Sequence, residues 1–340
     1  MGKVVTFGEI MLRLAPKGYL RFSQADEFDA VYGGGEANVS VSLANYGIDV
    51  SFITRLPENP IGYAAERKLK SYGVGTNHVA WGGDRLGIYF LEKGASQRPS
   101  KVVYDRKNSA ISTALKNDFD WDEIFKGAEW FHFTGISPAL GEGIAKICEE
   151  ACKVAKKNGV KISCDLNYRK NLWTPEEANR IMITLMEYVD VCIGNEEDAQ
   201  KIFGIKSKGT DVTGGKLNDD GYRDVAEELI KRFNFSTVAI TLRESISASV
   251  NNWGAMIYDG NNIFFSPKYN IQIIDRVGGG DSFAGGLIYG LLKIHDLAEA
   301  LNFAVAASCL KHTIEGDFND VSIAEIMNLV KGNQSGRVER

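Results

Sequence analysis

The chain has 340 residues, 44% of them hydrophobic and 24% charged, with 39 lysines and arginines against 44 aspartates and glutamates. A net charge of -5 supplies no basic footprint for nucleic acid or an anionic membrane, so any anion must be held by a local cluster. The five cysteines, Cys148, Cys152, Cys164, Cys192 and Cys309, form no C-x-x-C pair, which argues for buried free thiols over a zinc site or a disulfide framework.

Along the chain, short apolar stretches alternate with longer helical patterns. Residues 3–8 open as a strand with no signal-peptide character, and no apolar run reaches membrane-spanning length; the expected compartment is the cytoplasm. Further strands are expected over 50–54, 129–134, 160–166, 189–193 and 237–242, with helices over 36–46, 61–72, 142–158, 175–187 and 222–233. Local punctuation marks their ends. Asn59-Pro60 offers an N-cap followed by proline at the first helical position, and Thr174-Pro175-Glu176-Glu177 reads as a capping box. Gly47, Gly73 and Gly159 stand where helix C-termini want a left-handed residue. Such alternation predicts a mostly parallel sheet covered by helices on both faces. Residues 12–34 and 85–107 break the rhythm: both are strand-like and carry no long helix, so they are expected to pair as a small accessory sheet. The expected division is a core of residues 1–11, 35–84 and 108–335 with a β lid of 12–34 and 85–107, and a frayed tail from Gly332.

Two glycine clusters suggest chemistry. The first is Gly33-Gly34-Gly35-Glu36-Ala37-Asn38, between an extended segment and a helix, where a small ligand can approach the backbone and Asn38 can bond a hydroxyl. The second, Asp275-Arg276-Val277-Gly278-Gly279-Gly280-Asp281, lies between an expected strand at 271–274 and a helix beginning near Ser282. Unobstructed amides at a helix N-terminus make a cradle for phosphate oxygens. Asp281 would repel a bound phosphate, and its presence is accounted for if it takes the proton from an attacking hydroxyl; the plainer alternative is a turn with Asp281 as N-cap. No G-x-x-x-x-G-K-[S/T] and no G-x-G-x-x-G after the first strand are present, which disfavours a P-loop and a nicotinamide-binding domain. The four histidines are scattered and there is no G-x-S-x-G, so metal ligation by histidine and triad hydrolysis are set aside.

Taken together, the two clusters resemble the two signatures of the PfkB/ribokinase family of carbohydrate kinases, and the likeness runs from about residue 3 to about 331. It implies a ribokinase-like three-layer α/β/α sandwich with a small β-sheet lid, and a kinase using ATP and Mg²⁺. Asp281 would be the base and the Gly278, Gly279 and Gly280 amides the anion hole. The nucleotide would meet Asn195, Thr241, Arg243, Gly278 and Gly280, and Mg²⁺ would be held through water near Asn195 and Asp198. Arg276 stands where the family has threonine, and Arg243 where glycine is common. Tyr104 to Ala110 and Asp165-Leu166-Asn167-Tyr168-Arg169 are similar to the stretches with which the family's 2-keto-3-deoxygluconate kinases hold their sugar acid. Gly34, Gly35, Asn38, Tyr89, Tyr104, Arg106, Asn167 and Arg169 are thereby implied as substrate contacts, with the terminal 6-hydroxyl as acceptor. Neutral-sugar members carry an aspartate just after the first strand, and Gly8-Glu9-Ile10-Met11-Leu12-Arg13 lacks it; its absence removes a repulsion toward an acidic sugar. Arg106 and Arg169 each offer a planar fork suited to a carboxylate. A kinase of a neutral sugar such as fructose or ribose, and a catalytically silent sugar-binding protein, remain as alternatives. The aromatic-rich insertion suggests self-association through the lid.

Overall fold

The computed structural model describes residues 2–206 and 219–333. The first stretch contains β1 (Lys3–Phe7), β2 (Met11–Pro16), β3 (Phe28–Gly33), α1 (Gly35–Asn45), β4 (Val50–Ile53), β5 (Arg55–Leu56), α2 (Pro60–Ser71), β6 (Ala80–Trp81), β7 (Gly87–Glu92) and β8 (Lys101–Asp105). Then follow α3 (Trp121–Ile124), β9 (Ala128–Thr134), α4 (Glu142–Lys157), β10 (Lys161–Asp165), α5 (Pro175–Met186), β11 (Val191–Gly194) and α6 (Glu196–Phe203). The rest comprises α7 (Asp219–Phe233), β12 (Thr237–Ser245), β13 (Val250–Tyr258), β14 (Ile263–Phe265), β15 (Tyr269–Gln272), α8 (Gly279–Lys293), α9 (Leu297–Lys311) and α10 (Ile323–Val330). Residues 334–340, within the tail expected to fray, lie outside the described residues.

The central sheet has the order β14-β13-β12-β11-β10-β9-β1-β4, with β15 paired to β13. From β4 to β12 every pairing is parallel, and β13, β14 and β15 extend the sheet antiparallel. Two apolar cores cover its faces. One joins α1, α2, α8, α9 and α10 to the sheet around Phe52, Phe283 and Phe303; the other joins α4, α5 and α7 around Phe131, Ile162 and Met182. All five cysteines are buried and free, four of them in the second core.

The punctuation behaves as its chemistry requires. Asn59 Oδ1 accepts from the amides of Ile61 and Gly62, Thr174 and Glu177 cap each other reciprocally, and Gly47, Gly73 and Gly159 take positive φ. The two strand-like stretches do pair: β2 and β7 are parallel neighbours in a separate sheet of order β3-β2-β7-β8. Met11, Ala15, Tyr89 and Leu91 form that sheet's own small core, against which Val277 packs. Two expectations need correction. The strand before the second glycine cluster spans Tyr269–Gln272 and stops short of residues 273–274. Helix α8 begins at Gly279, with Gly278 as its N-cap, so Asp281 is the third helical residue and not the cap.

Candidate active site

The chain runs from β1 to β4 on one side and later places β9 to β12 on the other, so the order reverses at the β1/β9 boundary. Ligands of open parallel sheets bind outside the strands' carboxyl ends at such a reversal. A cleft of about 1140 Å³ lies there. It exceeds the roughly 300–1,000 Å³ of an ordinary small-molecule site and suits two ligands side by side. All the candidate residues from the sequence line it: Gly34, Gly35, Asn38, Tyr89, Tyr104, Arg106, Asn167, Arg169, Asn195, Asp198, Thr241, Arg243, Gly278, Gly279, Gly280 and Asp281.

Asp281 sits at its floor, in the first turn of α8. Asn38 Nδ2 donates to Asp281 Oδ2 at 2.6 Å, while Asn38 Oδ1 accepts from the Gly34 amide at 3.2 Å. Asn38 thus orients the carboxylate with one of its two amide hydrogens, in addition to the hydroxyl contact that the sequence suggested for it. Burial pushes the Asp281 carboxyl up to about 6, against the opposing pull of the Asn38 hydrogen bond and the Arg169 charge. A carboxylate so placed is a base near neutrality.

The glycines are needed for room. Gly34 has extended backbone, yet a Cβ there would meet the Glu9 carbonyl oxygen at 1.9 Å. Gly278 adopts φ 82°, and its Cβ would meet the Asp317 carbonyl at 2.1 Å. Gly34→Ala is expected to cost about 1–3 kcal/mol and to weaken ligand binding in the cleft, because a backbone must move and the Gly34 amide steadies Asn38. Thermal melting with ligand affinity at the cleft checks this; unchanged stability and affinity would contradict it.

Glu9 corrects the reading of the first strand's end. Its carboxylate is buried in the cleft and takes both Nε and Nη2 of Arg106, the former at 2.8 Å, so a carboxylate is present here and already neutralised. Arg106 is accordingly a paired, buried arginine with its guanidinium 5.5 Å from the Tyr104 ring centre. Glu9 Oε1 is buried without a hydrogen-bond partner among the described residues. Arg169 is exposed, and its charge draws down the carboxyls of Asp165, Asp198 and Asp281.

Asn195 and Asp198 cap α6 reciprocally at 2.9 and 3.2 Å, and Asp198 Oδ1 also accepts from the Tyr168 amide. Burial raises Asp198 to about 6 and Asp165 well above the ordinary range, the latter also through the charges of Asp198 and Asp281. No group of three or more histidine, cysteine, aspartate or glutamate side chains is positioned to hold a metal among the described residues. On the other flank, Thr241 and the exposed Arg243 leave β12, and Arg276 donates to the Ala248 carbonyl at 2.9 Å. Burial, then the neighbouring Arg243, lowers the Arg276 guanidinium.

Sequence reasoning missed several residues at the site. Beneath the second glycine cluster, the buried Arg13 bridges Asp317 (2.9 Å) and Asp275 (2.5 Å), and Asp317 also accepts the Tyr89 hydroxyl. His312 lies under Gly279, bonded through Nδ1 to the Ser308 carbonyl at 2.6 Å, and burial lowers its pKa to about 4. Glu36 accepts from the Thr134 amide and from the hydroxyls of Thr134 and Ser137. Only the run of glycines itself, which implies a backbone pressed against something, hinted at these partners.

The pfkB family carbohydrate kinase model matches residues 1–323. A 2-dehydro-3-deoxygluconokinase from Thermotoga maritima, known from its crystal structure, superposes with a TM-score of 0.94 at 57% identity, over 97% of this chain and 98% of its own. A 2-dehydro-3-deoxygalactonokinase from Haloferax volcanii is 30% identical over 335 residues, 98% of each chain. A 2-dehydro-3-deoxygluconokinase from Thermoproteus tenax is 28% identical over 323 residues, 93% of this chain and 90% of its own.

Proposed function

The chain belongs to the pfkB family of carbohydrate kinases, with its ribokinase-like fold, and on that premise we propose that this ATP-dependent sugar kinase phosphorylates the 6-hydroxyl of 2-keto-3-deoxygluconate. The observation that carries the reading is the placement of Asp281 in the first turn of α8, with the Gly278–Gly280 amides at its shoulder and Arg106, Arg169 and Tyr89 lining the same cleft. The 57% identity to a structure described as a 2-dehydro-3-deoxygluconokinase supports the sugar acid. The Haloferax relative, described as acting on the galacto compound, makes that epimer the second reading.

In the reaction the 6-hydroxyl oxygen attacks the γ-phosphorus, the bond to the β–γ bridging oxygen breaks, and ADP leaves. Asp281 takes the hydroxyl proton and later loses it to water. The amides of Gly278 and Gly280 receive the oxygens on which charge gathers, while the Gly279 amide also has the Arg276 carbonyl as a partner at 3.4 Å. Thr241 and Arg243 border the nucleotide, and Arg169 faces the substrate carboxylate. Arg106, paired with Glu9, offers its remaining Nη1 donors, while Glu9 Oε1 accepts a sugar hydroxyl, which satisfies the unpartnered oxygen. The carboxyls of Asp165 and Asp198, both raised by burial, fit a site that is relieved by positive charge and would meet Mg²⁺ through water, near Asn195. Bound with ATP, Mg²⁺ supplies charge neutralisation of the phosphates.

The small sheet serves as a lid that excludes water from the sugar, residues 12–34 and 85–107 acting against the core. Its face away from the cleft exposes Phe28 and Val103, which suits burial against a second copy, while Val102 and Tyr104 line the cleft. No helix among the described residues is long and apolar enough to cross a membrane; the cytoplasm is the proposed compartment.

Two observations test the assignment. Incubation with ATP and 2-keto-3-deoxygluconate should yield the 6-phosphate, identified by phosphorus NMR; ADP without that product would refute it. The pH profile of kcat/KM should rise to a plateau with a midpoint near 6, because the base must be unprotonated and its carboxyl is held at about that value. A midpoint near the ordinary 3.8 would remove Asp281 from the role.

A further inference from the structure

Lys311 is the last residue of α9 and is 0% exposed. Lysine is almost never fully buried unless paired, yet it makes no ion pair within 4.0 Å among the described residues. Its ammonium is surrounded by backbone carbonyls instead: Gly316 O at 2.7 Å, Ile314 O at 3.2 Å and Asp275 O at 3.4 Å. Three acceptors match the three donors of an ammonium, whereas a neutral amine has two hydrogens and would leave one carbonyl facing a lone pair. Burial lowers the Lys311 pKa and the Arg13 charge adds to this, while the fields of Asp275, Asp317 and Asp281 work to keep the proton.

The position of this nest gives it a role. Asp275 opens the glycine loop, Gly316 and Ile314 belong to the turn after α9, and the Lys311 stem lies under the loop, where a Cβ on Gly278 would meet Lys311 Cε at 3.3 Å. The same loop is tied down by Ser308, whose hydroxyl donates to Gly279 O at 2.6 Å.

We propose that Lys311 is a tethered monovalent cation, a positioning residue whose ammonium fills a nest of carbonyl oxygens behind the glycine loop and keeps the Gly278 and Gly280 amides aimed at the transferring phosphoryl group. The chain thus carries, as a side chain, a charge that an oxygen-lined nest of this kind would otherwise take from a potassium or ammonium ion. The inference rests on the assignment of those amides to the phosphoryl group, and not on which sugar is the acceptor.

The test uses whichever sugar the wild-type enzyme phosphorylates, so a wrong substrate assignment shows up separately as wild-type inactivity on 2-keto-3-deoxygluconate. Lys311→Ala opens the nest, and Lys311→Met fills it with an uncharged chain of similar volume. Each is assayed with ATP in potassium, ammonium or choline chloride at matched ionic strength, with melting curves alongside. Lys311→Ala should lose at least about tenfold in kcat with little change in the KM for ATP. Potassium or ammonium should restore much of that loss and choline none of it. Lys311→Met should show the same loss with no restoration, and the wild type should be indifferent to all three salts. Should Lys311→Ala fail to fold, Lys311→Met and the wild-type salt response decide. Wild-type stimulation by potassium or ammonium would overturn the proposal, as would wild-type kcat in a folded Lys311→Met or a folded Lys311→Ala whose loss neither ion restores.

Discussion

Replacing Asp281 by asparagine is expected to lower kcat about 10²–10⁴-fold while the protein still binds ATP. The substitution is close in shape, and the Asn38 amide that donates to Oδ2 at 2.6 Å can still be accommodated by rotating the new side chain. What disappears is the basic oxygen on which the proposed proton transfer depends. The same change should stabilise the fold at neutral pH. The Asp281 carboxyl is raised from 3.8 to about 6 by burial, so the folded state holds a proton that the unfolded chain releases between those values. Stability therefore falls as pH rises through that window, and the cost is fully present above 6. Asparagine carries no such cost, so Asp281→Asn should melt above the wild type at neutral pH, and the gap should close as pH falls below 3.8. An active, less stable variant would contradict both halves. Gain of stability on loss of a functional group is the usual mark of a site whose charges are held against their own preference.

Arg13→Met is the second large effect, an expected loss of about 3–5 kcal/mol of stability. Arg13 lies within β2, with its side chain 3% exposed, and it is held by two carboxylates that come from the far end of the sequence. Removing it leaves Asp275 and Asp317 buried, with the fields of Lys311 and, at Asp275, of Arg276 as what remains to offset their charge. Asp317 would feel this most, since burial already raises its carboxyl and Arg13 is the largest influence opposing that. Turnover should fall too, because Asp275 Oδ1 accepts the Val277 amide at the entrance to the glycine loop and Tyr89 of the small sheet donates to Asp317. Urea unfolding measures the first effect; a loss under about 1 kcal/mol would mean that the cluster behaves like a solvated surface pair.

These two residues illustrate what the sequence made legible. Asp281 could be found because its signal is local: glycines, a helix start and a carboxylate within seven positions. The parallel half of the sheet was legible for the same reason, since caps such as Asn59 and Thr174 and end glycines such as Gly47 act on their immediate neighbours. Arg13 was unreadable, because its meaning depends on Asp275 and Asp317, 262 and 304 positions away. Glu9 went unread in the same way: the sequence shows only that the family's aspartate is missing from this segment, and the pairing of Glu9 with Arg106, 97 positions on, is visible in the fold alone. The antiparallel end of the sheet escaped because β13, with Asn251 and Trp253 among its buried positions, lacks the plain apolar run of the central strands. Helix α9 is apolar nearly all round, so no amphipathic stripe marks its period. Helix α10 did carry a signal, Ser322 with Glu325 as a capping box, that went unused.

The central claim is a cleft that joins a sugar acid to ATP across Asp281, and selectivity tests it most directly. ADP release should be measured with 2-keto-3-deoxygluconate, its galacto epimer, fructose and ribose, for the wild type and for Arg169→Ala. The kcat/KM should be highest for the 2-keto-3-deoxy acids, and the arginine substitution should erode that advantage while leaving the neutral sugars little changed. A wild type that prefers fructose or ribose, with Arg169→Ala treating acid and neutral sugars alike, would contradict it.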